Sequence, residues 1–287
     1  MNRFVGIIVS IGLAAGFAVA ERTAPAVFHV DSEAGNDNAA GTRPDTAWRT
    51  LDKVNTATLI PGDRVLFKRG GLWRGQLTPQ SGTPDARILY GAYGDGAKPI
   101  LQGSVARDQA DEWNEVRPGL WATRKLEPIP LDVGIVILNH GEKWGVKKWA
   151  LEEIKAPLDY WYDPDGKRIF LAWPANPAEA FHSVELALTR HIINQGNKHD
   201  ITYDGLAIRY GASHGFGGGN TQRITIRNCD LSWIGGGLQY WKTRKDGTRY
   251  PVRFGNAIEF WGGARDHLVE RNRIWEVYDA ALTNQGN

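Results

Sequence analysis

Four apolar positions, Phe216, Leu238, Ile258 and Ala280, recur at spacings of 22, 20 and 22 residues, each within or just after a glycine-rich or Asn/Asp-containing bend. A return every ~22 residues marks a chain built of coils, none of which can bury its apolar face alone, so that neighbours must stack. Segments 201–206, 226–231 and 269–274 carry a second pattern, an aliphatic residue followed five positions later by another. Their separations are 25 and 43 residues, so the second gap has room for two turns. The expected class is all-β, a solenoid whose coils contribute short strands to parallel sheets. Its 34 glycines among 287 residues suit a chain of bends, and without a strict every-third-residue period they do not make collagen.

The remaining segments read as follows. Val27–Val30 is an apolar strand, and Val65/Phe67 and Ile88/Tyr90 show the same alternation 23 residues apart. A helix starting at Pro44-Asp45-Thr46 would carry Trp48, Leu51 and Val54 on one stripe and cover an open end of the strands. Residues 112–190 differ from the rest. They hold six of the 12 tryptophans (Trp113, Trp121, Trp144, Trp149, Trp161 and Trp173), and a hairpin signal surrounds Asp163–Lys167. This block reads as an inserted antiparallel β subdomain in which tryptophan packs, between a cap with first coils at 21–111 and further coils at 191–287.

Residues 1–20 have the form of a secretory signal: Arg3, an apolar run and Ala18-Val19-Ala20. The apolar stretch is shorter than the ~20 residues that span a bilayer, so no membrane span is expected after cleavage. Export to a bacterial periplasm or cell surface follows, and the single cysteine, Cys229, is read as a small buried filler. A net charge of +2 without a basic block argues against a nucleic-acid partner. No phosphate-binding glycine motif appears.

The stretches FHVDSEAGNDNAAGTRPDTAWRTLDKVN, LIPGDRVLFKRGGLWRGQL, ITIRNCDLSWIGGG and GNAIEFWGGARDHLVERNRIWEVYDAALTNQG resemble secreted proteins of the pectin-lyase-like superfamily. The resemblance implies a right-handed parallel β-helix with an N-terminal capping helix, and an activity among polysaccharide lyases, glycoside hydrolases and epimerases. Neither the NxD…DD…GHG set of polygalacturonase-like hydrolases nor an evident calcium-binding Asp set is found, which leaves the reaction type open. A solenoid needs an atypical closing segment after its coils, and none precedes Asn287. The expectation is a fragment with more coils, and catalytic residues with them, beyond Asn287, the alternative being a last coil shielded by a partner.

Alternation along a strand gives the candidate site. With Ile258 and Phe260 inward, Glu259 and Trp261 face out; with Leu238 and Tyr240 inward, Gln239 and Trp241 face out; one coil on, Asp279 faces out beside Ala280. Indole faces beside carboxylates fit a sugar-binding groove. Strand spacing of ~4.8 Å and a two-residue offset of ~6.7 Å would set the Cα atoms of Glu259 and Asp279 roughly 8 Å apart. That suits either a retaining or an inverting carboxylate pair. The alternative pairs Glu259 with Arg227 or Arg265 and leaves Asp279 in a turn. Elimination would instead need a base and a cation, from His214, Arg253, Arg271 or Lys242, with Glu259 or Asp279 holding Ca²⁺. The basic run 241–250 is either a solvated hairpin or a guide for an anionic glycan. The resulting expectation is a secreted hydrolase or uronate lyase acting on a polysaccharide or oligosaccharide. Its catalytic residues would be Glu259, Asp279 and His214, and Trp241, Trp261, Gln239 and Arg253 would bind substrate. The competing class is a non-catalytic carbohydrate-binding or surface protein.

Overall fold

The computed structural model describes residues 22–128 and 130–286; the expected export signal lies outside them. The chain is all-β, with three parallel sheets that it visits in rotation from Ile193 onward. The first holds Val27–Val30, Arg64–Lys68, Ile88–Tyr93, His199–Asp204, Gln222–Arg227 and Leu268–Glu270. The second holds Leu72–Arg74, Ile100–Gln102, Ala207–Gly211, Asp230–Ile234 and Arg273–Val277, and the third Ile193–Asn194, Phe216–Gly217, Ile258–Trp261 and Leu282–Gln285.

Register aligns like with like. Ile88, Ile201 and Ile224 pair in series, as do Tyr90, Tyr203 and Ile226, and Leu101, Ile208 and Leu231. All are buried in one core, where the Tyr90 and Tyr203 rings stack at 5.7 Å. Between the first two sheets the chain turns at Gly205 (φ +75°) and, one turn on, at Asn228 (φ 52°). Asn272 ties the next bend, its Oδ1 accepting from the Cys229 N–H and its Nδ2 donating to the Ile226 carbonyl. Cys229 is fully buried, and burial pushes its thiol up to about 11.

Two expectations need correction here. The helix is Leu51–Thr56, capped by the Thr50 hydroxyl on the Lys53 N–H. Pro44–Thr46 is a separate 3₁₀ turn, because Trp48 first bridges Val30 in extended conformation. Trp48, Leu51 and Val54 still enter the main core together. The repeat itself is 23 residues where turns are plain, as in Ile201 to Ile224, and 43 from Ile226 to Val269. The longer interval is one turn interrupted by an antiparallel hairpin, Gly237–Thr243 with Arg249–Phe254. Phe216 therefore pairs with Ile258 directly and Ile258 with Leu282; Leu238 and Ala280 are not members of that series. Glycines permit the departure: at Gly255 (φ +136°) an added Cβ would lie 2.1 Å from the Gly235 Cα, so the two strands of the neck cross without room for a side chain.

Between Gln102 and Ile193 the chain forms two further sheets. One orders Lys143–Trp144, Val133–Leu138, Val184–Leu188 and Ser104–Ala106, all antiparallel. The other runs Val146–Lys147, Asp159–Asp163, Arg168–Ala172, Leu120–Thr123 and Trp113–Arg117, antiparallel except for its first pair. The Asp163–Arg168 hairpin lies where its turn signal put it. These sheets enclose a second core of Trp113, Val136, Tyr160, Ile169, Leu186 and their neighbours. No helix among the described residues is long and apolar enough to cross a membrane.

Candidate functional site

A cavity of about 620 Å³ opens where the hairpin folds over the outer face of the third parallel sheet. Alternation in Ile258–Trp261 sends Ile258 and Phe260 into the core and turns Glu259 and Trp261 to the cavity. Glu259 is only 4 % exposed, whereas Trp261 is 52 % exposed and offers a broad indole surface. The Asn256 amide and the Thr283 hydroxyl, the latter on the strand partner of Glu259, both donate to Oε2. The carboxylate is thus held through one oxygen.

Asn256 organises more than this contact. Its Oδ1 accepts from the Ala280 N–H at 2.9 Å, and its own N–H donates to His214 Nδ1 at 2.9 Å. A neutral His214 ring therefore carries its proton on Nε2. His191 stacks on His214 at 5.1 Å, with its Nδ1 3.1 Å from the Ser213 hydroxyl. Burial holds both imidazoles down at about 4, so both are neutral near pH 7.

Six of the seven expected residues line this one cavity: Glu259, Asp279, His214, Trp261, Gln239 and Arg253. Asp279 arrives by a route the repeat did not foretell. It occupies an exposed bend before Leu282–Gln285, its N–H on the Gly255 carbonyl, and the strand partner of Glu259 is Thr283. The adjacent-strand argument for its spacing from Glu259 therefore falls, although both carboxylates reach the same space.

Trp241 is the correction. It packs edge-on against Trp149 at 5.5 Å and under Arg249, away from the cavity lining, because its strand belongs to the hairpin rather than to the stack. Tyr240, expected to point inward, is 50 % exposed and lines the cavity instead. His191 and Asn256 were not anticipated; Asn256 directly follows Gly255, whereas no glycine lies within four residues of His191.

Of the candidates for elimination, His214 and Arg253 line the cavity and two do not. Arg271 pairs with Glu270, and Lys242 is exposed on the hairpin; neither lines the cavity. Among the described residues no three His, Cys, Asp or Glu side chains gather as metal ligands. With Glu259 Oε2 already engaged by Asn256 and Thr283, the cavity's carboxylates do not supply the six to eight oxygens that Ca²⁺ takes.

No family model matches the chain. It is 33 % identical over 95 residues to a lacto-N-biosidase of Bifidobacterium longum subsp. longum, a match covering 31 % of this chain and 6 % of that protein. Among solved structures, XylC in complex with xylose aligns with a TM-score of 0.60 at 15 % identity, over 90 % of this chain and 58 % of the other. A glycoside hydrolase aligns with a TM-score of 0.53 at 10 % identity, over 91 % of this chain and 79 % of the other. At these identities the structural likeness is one of fold.

Proposed function

We propose that this chain is an exported, carbohydrate-active protein built on a right-handed parallel β-helix, with Leu51–Thr56 as its N-terminal cap and residues 112–190 as an inserted unit. Its cavity cleaves a glycosidic bond by hydrolysis. The observation that carries the reading is the meeting of a shielded carboxylate, Glu259, and an exposed one, Asp279, in one cavity with Trp261 and Tyr240. Similarity to a lacto-N-biosidase and fold likeness to a glycoside hydrolase support it.

In this mechanism a sugar ring lies on the Trp261 indole, its hydroxyls bonded by Gln239 and the His214 Nε2–H. Glu259 delivers a proton to the glycosidic oxygen as the bond to the anomeric carbon breaks. Asp279, on the solvent side, takes a proton from the water whose oxygen adds to that carbon. A neutral, deeply buried His214 suits a donor of hydrogen bonds better than a general base.

The test is turnover of an array of neutral and acidic oligosaccharides by the wild type, Glu259→Gln and Asp279→Asn. Each substitution is expected to lower kcat about 10²–10⁴-fold. Unchanged rates would remove the assignment. A product absorbing in the ultraviolet, the mark of an unsaturated sugar, would replace hydrolysis by elimination. Binding without cleavage by the wild type would leave a carbohydrate-binding protein.

A further inference from the structure

A second cavity of about 370 Å³ lies at the seam between the antiparallel sheets and the parallel stack. Its walls come from both: Trp144 and Lys147 from the antiparallel part, Trp233, Glu276 and Tyr278 from the second parallel sheet and the bend after it. Arg253 belongs to the lining of this cavity and of the first, so the two adjoin through its side chain.

Three properties make this seam unlike ordinary surface. Trp144 and Tyr278 are 53 % and 48 % exposed, large aromatic faces left uncovered in a concavity, although a tryptophan in this block was expected to pack. Trp144 and Trp233 lie 5.5 Å apart with tilted rings, which gives the cavity a firm aromatic wall. Arg253 is locked in place: its Nε donates to the Gly236 carbonyl, its Nη2 donates to the Gly134 carbonyl at 3.3 Å, and the guanidinium lies 4.4 Å from the Tyr278 ring centre. Among the described residues those bonds use only Nε and Nη2.

Lys147 is not available to a ligand. Its ammonium is buried and donates to Asp132 at 2.7 Å, and burial draws its affinity for the proton down. The seam therefore offers aromatic faces, one carboxylate in Glu276 and the edge of a fixed guanidinium. Apolar faces with a few polar groups between them match a sugar ring, which is apolar on its faces and hydroxylated at its rim.

We propose that the seam cavity is a second sugar-binding segment of the same groove, stacking a unit on Trp144 and Tyr278, with Arg253 binding the chain where it passes between the two cavities. This rests on the reading of the first cavity as a glycan-cleaving site and sharpens it. The substrate class becomes an oligosaccharide or polysaccharide long enough to lie on both sides of Arg253, rather than a mono- or disaccharide.

The test measures binding by the otherwise intact Glu259→Gln protein, by calorimetry, to array-selected neutral and acidic oligosaccharides of two to six units. Affinity is expected to rise with length until both cavities are filled. Trp144→Ala and, on a separate element, Tyr278→Leu are each expected to lower the ratio of long-chain to short-chain affinity about tenfold. Affinity independent of length, or a ratio unchanged by both substitutions, would overturn the inference while leaving the first cavity's assignment intact. Length-dependent binding that both substitutions weaken, in a protein that cleaves nothing, would sustain it and discard hydrolysis. Absence of binding to every oligosaccharide would overturn both.

Discussion

The parallel stack and the antiparallel sheets bury similar residues by different rules. In the stack each inward side chain meets its counterpart one turn away, as Ile201 meets Ile224 and Tyr90 meets Tyr203. In the antiparallel part pairing is often local, as between Trp113 and Thr123 or Tyr162 and Ile169, and the core is closed on itself. A stack repeats its outer face as well as its inner one, so it sets Glu259 directly over Thr283. It makes a poor concavity by itself. The walls come from what interrupts it: the hairpin with Tyr240 and Arg253, and the sheets that bring Trp144. Asp132 binds these parts together, accepting from Lys147 and from the Leu238 N–H of the hairpin.

The strongest way to break this contrast is within the stack. Phe216, fully buried against Tyr203 at 4.9 Å, leaves a cavity felt by adjoining turns, so Phe216→Ala is expected to cost about 4 kcal/mol in denaturant unfolding. A loss under 1 kcal/mol would mean the turns do not share a core. Asp132→Asn leaves the buried Lys147 without its partner and is expected to cost about 3 kcal/mol. Hydrogen exchange should then accelerate in the hairpin and in Val133–Leu138 before the stack is affected. Uniform acceleration would contradict a role at the seam.

Acid sharpens the comparison, since His191 and His214 lie on the stack side. Their folded values of about 4 lie below the ordinary 6.5, so the unfolded chain binds protons first. Their contribution is complete above pH 6.5 and is lost as pH falls toward 4, with a slope of about 1.4 kcal/mol per pH unit for each titrating ring. His214→Gln should flatten that slope in pH-dependent melts, and an unchanged slope would remove His214 from the account. The smallest effect is expected at Trp241. Trp241→Ala loses an edge-on contact with Trp149, about 1 kcal/mol, and should leave oligosaccharide affinity within about twofold of wild type.

Much of this was legible because a stack writes its period into the sequence. The aliphatic positions of segments 201–206 and 226–231, the bend asparagines and the alternation around Glu259 all follow from local geometry. What misled was arithmetic across an interruption. Residues 237–254 have nearly the length of a coil, so Leu238 looked like a coil position, and the error carried Trp241 onto the groove and Asp279 beside Glu259. The run Gly235-Gly236-Gly237 and Gly255 mark the departure and return, yet glycine signals a bend without saying where the chain goes next. His191 was invisible for another reason: it meets His214 through the packing of successive turns, and no spacing in the sequence distinguishes it from other polar loop residues.

The central claim is that one groove, floored by the stack and walled by its interruptions, holds a glycan across Glu259 and Asp279. A crystal structure of Glu259→Gln with a bound oligosaccharide tests it most directly. The account predicts a sugar ring on Trp261, a glycosidic oxygen within hydrogen-bond reach of the residue 259 side chain, and a chain continuing past Arg253 toward Trp144. A glycan bound on any other face, with this groove empty, would contradict it.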